Sequence, residues 1–105
     1  MLKTAYKENV TVLPGVFRER MDVNRNYLLE LDSQCLLQNF YLEAGIIMPG
    51  LQVVDDPAAA DLHWGWEAPT CQLRGHFLGH WLSAAAHLVA YNKDAELKVK
   101  LDKIV

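Results

Sequence analysis

The stretch Leu73-Arg74-Gly75-His76-Phe77-Leu78-Gly79-His80-Trp81-Leu82-Ser83-Ala84-Ala85-Ala86-His87 limits what this chain can fold into more than any other. Its period is helical. At about 3.6 residues per turn, His76, His80, Ser83 and His87 follow one another along a single stripe. Phe77, Trp81, Leu82 and Leu88 lie beside that stripe, so most of such a helix must be buried. A buried imidazole without a partner costs about 1–3 kcal/mol. The stripe is therefore either bonded inside a core or turned to a polar pocket. Gly75 and Gly79, read as helix-interior positions, each cost about 0.5–1 kcal/mol relative to alanine. Their spacing predicts close approach of another backbone or of a ligand.

The rest of the chain reads as further helices. Val10 to Leu13 is a short β-prone run, an extended segment ended by Pro14-Gly15. The spacing of Phe17, Met21, Leu28 and Leu31, with Tyr27 alongside, predicts a helix from Val16 to Leu31. Asp32 then reads as the N-cap of a second helix, Ser33 to Ala44. Leu36, Leu37, Phe40, Tyr41 and Ala44 form its apolar face, and Gly45 is a natural residue to end it. Between Ile46 and Pro69 no period is visible, and Pro49, Pro57 and Pro69 break it up. Loops of that length are uncommon in small domains and usually functional. A third helix covers Leu73 to Tyr91. Asp94 caps a fourth from Ala95, with Leu97, Leu101 and Ile104 on one side. The fold class expected is all-α, an array of antiparallel helical hairpins after a short extended N-terminal segment.

Composition narrows the function classes. The 105 residues allow one small domain, 51% hydrophobic and with a formal net charge of −3. The lysines cluster near the two ends and form no basic stripe, which argues against nucleic acid. No apolar run reaches the ~18–20 residues of a membrane span. The N-terminus lacks an apolar signal core, so the sequence as written reads as cytoplasmic, which does not exclude a secreted or periplasmic parent protein. Cys35 and Cys71 are too few for a disulfide framework. Cys35, in an apolar helical run, reads as a buried thiol.

Three groups of residues could carry chemistry. His76 and His80, spaced i, i+4, could chelate a metal from one helix face, with Cys71 or Glu67 as a third ligand. The Glu that would follow the first His in a zinc-protease motif is absent. The same histidines could instead contact a ligand directly or be bonded within a core. Trp64-Gly65-Trp66-Glu67 offers aromatic faces against which sugar C–H groups pack, or equally a hydrophobic plug. Glu67 could bond sugar hydroxyls or pair with Arg74, a cation poorly placed at the start of a helix unless a carboxylate meets it. Glycoside hydrolysis needs a pair of carboxyl groups, or an equivalent nucleophile and acid, about the scissile bond. No such pair is evident, and Asp55-Asp56 reads as a solvated doublet.

Phe17, Asn26-Tyr27-Leu28-Leu29, Leu31-Asp32, Leu36-Leu37, Phe40, Ala44-Gly45, Gly65-Trp66-Glu67 and the block Leu73 to Ala84 resemble the N-terminal region of the β-L-arabinofuranosidase-type glycoside hydrolases of family 127. The resemblance runs from about Val10 to Val105, and Arg74-Gly75-His76-Phe77-Leu78-Gly79-His80 is its most specific part. It implies an (α/α)6 toroid as catalytic domain, followed by β-sandwich domains. The implied activity is retaining hydrolysis of β-L-arabinofuranosides or related plant-type sugars. It also implies a cysteine nucleophile held in a zinc site of one glutamate and three cysteines. All of these lie downstream of the matched region, so no catalytic residue, metal ligand or cofactor is assigned to this chain. The resemblance does imply a sugar-cleft role for Trp66, His76 and His80, and Glu67 joins them as a candidate substrate-binding residue. The run from Ile46 to His63 and His87 depart from the family pattern.

The expectation is a single partial domain over residues 1–105, an N-terminal fragment of a larger helical toroid. Such a fragment would hold part of a sugar pocket and be inactive alone. The third helix is apolar on more faces than three short neighbours can cover, so the missing C-terminal part of the parent or a homodimer partner would complete it. The alternatives from other classes are a small helical dimerising module and a metal-binding module.

Overall fold

The computed structural model describes residues 10–46 and 62–105, and all of the regular structure within them is helical. Helix α1 spans Val16–Glu30, α2 Ser33–Leu36, α3 Gln38–Glu43, α4 His76–Asn92 and α5 Ala95–Ile104. A 3₁₀ turn, Gly65–Glu67, precedes α4. No helix among the described residues is long and apolar enough to cross a membrane.

The caps form where acidic residues were expected to make them. Asp32 accepts from the N–H groups of Gln34 at 2.8 Å and Cys35 at 3.0 Å, and Asp94 accepts from Leu97 N–H at 3.0 Å. Gly45, at φ 70°, ends the α3 segment in the left-handed region. Two boundaries differ from the sequence reading. The expected second helix divides at Leu37, whose φ of −95° and ψ of 1° are not helical. Helix α4 starts at His76 rather than Leu73, because Gly75 sits at φ 94° and stands outside it. The β-prone run Val10 to Leu13 pairs with no strand among the described residues; instead Val12 N–H donates to the Tyr91 hydroxyl. Asp55-Asp56 and most of the expected long loop lie outside the described residues.

Long-range hydrogen bonds set the packing order. The Trp81 indole N–H donates to Leu28 O at 3.1 Å, so the start of α4 meets the end of α1. Val12 meets the other end of α4 through Tyr91. Helices α1 and α4 are thus antiparallel. Helix α5 folds back on α4 after a link in which Lys93 adopts φ 56°. Its Lys100 ammonium donates to the carbonyls of Leu28 at 3.0 Å, Leu29 at 2.7 Å and Leu31, capping the C-terminus of α1. The ammonium also lies 5.6 Å from the Trp81 ring centre. Burial pulls the Lys100 pKa below the ordinary lysine value, opposed by the charge of Asp32.

The core is Leu28, Leu36, Leu78, Trp81, Ala85, Leu88 and Leu97. Leu101 and Ile104 pack against it, as their spacing in α5 predicts. The apolar faces of the first two helices are only partly realised. Phe17 is 80% exposed and Phe40 53% exposed, while Gln38 and Asn39 are buried in their place. The outward face of α4 carries His76, Gly79, His80, Ser83, Ala86, His87 and Ala90. The helix is therefore not enclosed all round by its neighbours.

An acidic link holds α1 to α5. Arg25 donates to Asp94 and, at 2.7 Å, to Glu96. The Arg25 guanidinium, with the Leu97 N–H, holds the Asp94 carboxyl below its ordinary value. A carboxyl depressed in the folded state stabilises fully above its unfolded pKa, about 4. That contribution is lost as pH falls through the lower folded value. The urea midpoint should therefore drop on acidification below about pH 4, and drop less in Asp94→Asn, which keeps the cap but not the titration.

Candidate functional site

The described residues enclose an open groove of about 620 Å³ between the end of α1, the segment Leu62–Glu67 and the first two turns of α4. Tyr27, Trp64, Trp66 and Phe77 supply its aromatic surface, and His63, His76 and His80 supply imidazoles. His76 and His80 are exposed on the helix surface one turn apart, with ring centres separated by 6.4 Å. The His63 ring meets Phe77 edge-on at 5.4 Å. Trp66 is 73% exposed, so its ring is presented rather than used as a core plug. A Cβ placed on Gly79 would meet nothing within 4 Å, which leaves the surface beside both helical histidines open.

Glu67 has a different setting. It is 7% exposed and is the one carboxyl group lining the groove among the described residues. Its Oε1 accepts from Phe77 N–H at 2.8 Å and Gly75 N–H at 3.1 Å. Its Oε2 accepts from Gly75 N–H at 2.9 Å and the Asn39 amide at 3.2 Å. The carboxylate thus caps the first turn of α4, where unpaired N–H groups and the helix dipole favour an anion. Glu67 does not pair with Arg74. Arg74 stands before the helix, donates to Cys71 O at 3.1 Å and pairs with Glu43 at 2.9 Å. The reason is steric order: the turn from Cys71 to Gly75 carries Arg74 toward the end of α3, while Glu67 reaches the helix axis.

The structure thus brings Trp66, Glu67, His76 and His80 to one groove, joins Trp64 to them, and adds Tyr27 and His63, which the sequence does not single out. Trp64 was visible in the Trp-Gly-Trp pattern. Tyr27 was visible only as a residue flanking the apolar stripe of α1. Chemically the groove offers imidazoles that donate and accept hydrogen bonds beside aromatic faces. A sugar presents the complement: hydroxyls around its rim and C–H groups on its faces.

No group of three or more His, Cys, Asp or Glu that could hold a metal ion occurs among the described residues, so His76 and His80 gain no third ligand from Cys71 or Glu67. The zinc set implied by the resemblance needs three cysteines, and the chain has two, not joined by a disulfide. The residues present do not fit that zinc site, and no step is assigned to it.

An all-α domain with an aromatic and imidazole groove at a helix start is the class of protein that fold and site define. The sequence says which: residues 9–105 match the β-L-arabinofuranosidase GH127 catalytic domain, and the chain belongs to that family of glycosidase-type hydrolases. No curated protein and no solved structure matches the chain.

Proposed function

We propose that this chain forms one wall of the sugar site in a glycoside hydrolase acting on β-L-arabinofuranosides or related plant-type sugars. The observation that carries the reading is the groove itself, which sets Trp66 and Tyr27 beside His76 and His80. Trp66 stacks on a sugar face, and the two imidazoles bond its hydroxyls. Glu67 serves the site by fixing the start of α4, since its oxygens are already filled by backbone and amide donors. The groove is open, and Phe17, Leu13 and Val99 are exposed apolar side chains that a further part of the domain, or a second copy of this chain, would cover.

The chain alone does not hydrolyse glycosides on this reading. Bond cleavage needs a nucleophile and an acid about the anomeric carbon. The groove's one carboxyl group among the described residues is committed to capping a helix. Chromogenic arabinofuranosides at high protein concentration should show no turnover above background. Turnover that disappears in Cys71→Ser would show that the chain carries its own nucleophile.

A further inference from the structure

Helix α3 buries the wrong residues for stability alone. Gln38 is 1% exposed and Asn39 6%, while the neighbouring Phe40 is turned outward. Burying two amides and exposing a phenyl ring reverses the usual order, and buried amides are tolerated only when bonded. Their bonds all go to one short segment. Gln38 Oε1 accepts from His63 N–H at 2.8 Å, and Gln38 Nε2 donates to His63 O at 2.7 Å and to Glu67 O at 3.0 Å. Asn39 Nδ2 donates to Glu67 O at 2.9 Å and to Glu67 Oε2 at 3.2 Å. The two amides therefore grip His63 and Glu67, the residues on either side of Trp64-Gly65-Trp66. Asn39 Oδ1 is left with no partner among the described residues, a cost accepted in forming this arrangement.

The grip continues into α4. The Glu67 side chain, held by Asn39, binds Gly75 and Phe77 N–H at the helix start. His76 lies between those two residues, and His80 one turn further. A single chain of buried and part-buried bonds thus runs from α3 through the aromatic segment to the histidine helix. We infer that Gln38 and Asn39 are positioning residues, an amide clamp that fixes the Trp64–Trp66 wall of the groove against the His76–His80 wall. The inference rests on the sugar-site reading for its purpose and on the bonds alone for its existence. Sites that must stack and hydrogen-bond a ligand at once need both surfaces held in register before it arrives.

Gln38→Met is the direct test, because methionine keeps the volume and removes every bond. The readout is the indole N–H resonances of Trp64, Trp66 and Trp81 in the full chain, with hydrogen exchange at the His63 amide. The clamp predicts that the Trp64 and Trp66 signals move or broaden, Trp81 stays in place, and His63 exchanges at least about tenfold faster. Methyl β-L-arabinofuranoside, titrated into both proteins, should then shift the Trp64 and Trp66 signals less in the variant. If Gln38→Met does not fold, Gln38→Glu keeps an acceptor for His63 N–H and reads the same three indoles. Unchanged Trp64 and Trp66 signals with a protected His63 amide would overturn the inference. So would equal movement of all three indoles, which marks general loosening. A wild-type protein that ignores the sugar, yet whose Trp64 and Trp66 alone respond to Gln38→Met, would remove the sugar reading and uphold the clamp.

Discussion

Replacing Trp81 with alanine should cost about 3–5 kcal/mol, the range for a large aromatic removed from a packed core. Trp81 is 2% exposed and sits where α1, α4 and α5 meet. It belongs to the buried cluster that includes Leu28, Leu78 and Leu97, its indole N–H donates to Leu28 O at 3.1 Å, and its face lies under the Lys100 ammonium. Alanine would remove the packing, take one of two donors from Leu28 O, which keeps the Lys100 ammonium, and leave Lys100 without its aromatic partner. Phe at the same site keeps most of the volume and loses the indole donor, so it should cost about 1–2 kcal/mol. Urea denaturation of the two variants checks both values. A small domain is stable by only about 5–10 kcal/mol, so Trp81→Ala should remove about a third or more of that stability.

Glu67→Ala should be the second large effect, about 2–4 kcal/mol, because it strips the acceptor from two backbone N–H groups and one buried amide. Gly75 N–H, Phe77 N–H and Asn39 Nδ2 all point at this carboxylate. Water from the adjacent groove can reach part of the vacated space, which keeps the loss below the sum of three orphaned donors. Glu67→Gln retains one carbonyl oxygen and should lose about 1 kcal/mol. The damage should also be local: amides in the first turn of α4 should exchange faster, while those near Leu88 should not. A Glu67→Ala protein as stable as the wild type would mean that this carboxylate does not hold the helix start.

Much of the fold was legible in the sequence because it is decided locally. Helices α1, α4 and α5 follow from apolar spacing, and Asp32 and Asp94 announce their caps by residue type alone. The errors come from contacts that spacing cannot see. Phe17 and Phe40 fit an apolar stripe, which predicts burial, yet nothing among the described residues covers them fully. Gln38 and Asn39 sat among residues normally left to solvent, and only a segment 25 or more positions away makes their burial affordable in hydrogen bonds. Reading both glycines as helix-interior residues puts the start of α4 at Leu73, whereas Gly75 is left-handed and the helix begins behind it. Its cap comes from Glu67, ten positions before Phe77, beyond the reach of any local capping pattern. The site was legible in kind, aromatic and imidazole, because Trp66, His76 and His80 lie close in sequence. Tyr27 joined it only through the antiparallel packing of α1 on α4.

On the proposed function, the groove between Trp66 and the His76–His80 face takes a sugar. The most direct measurement follows the indole and imidazole resonances of the whole chain during titration with methyl β-L-arabinofuranoside to high millimolar concentration, with glycerol as a control for unspecific polyol effects. Saturating shifts are expected at Trp66, His76 and His80, with no shift at buried Trp81 and loss of the response in His80→Ala with the fold intact. No shift at any of the three, or shifts that glycerol reproduces, would contradict it.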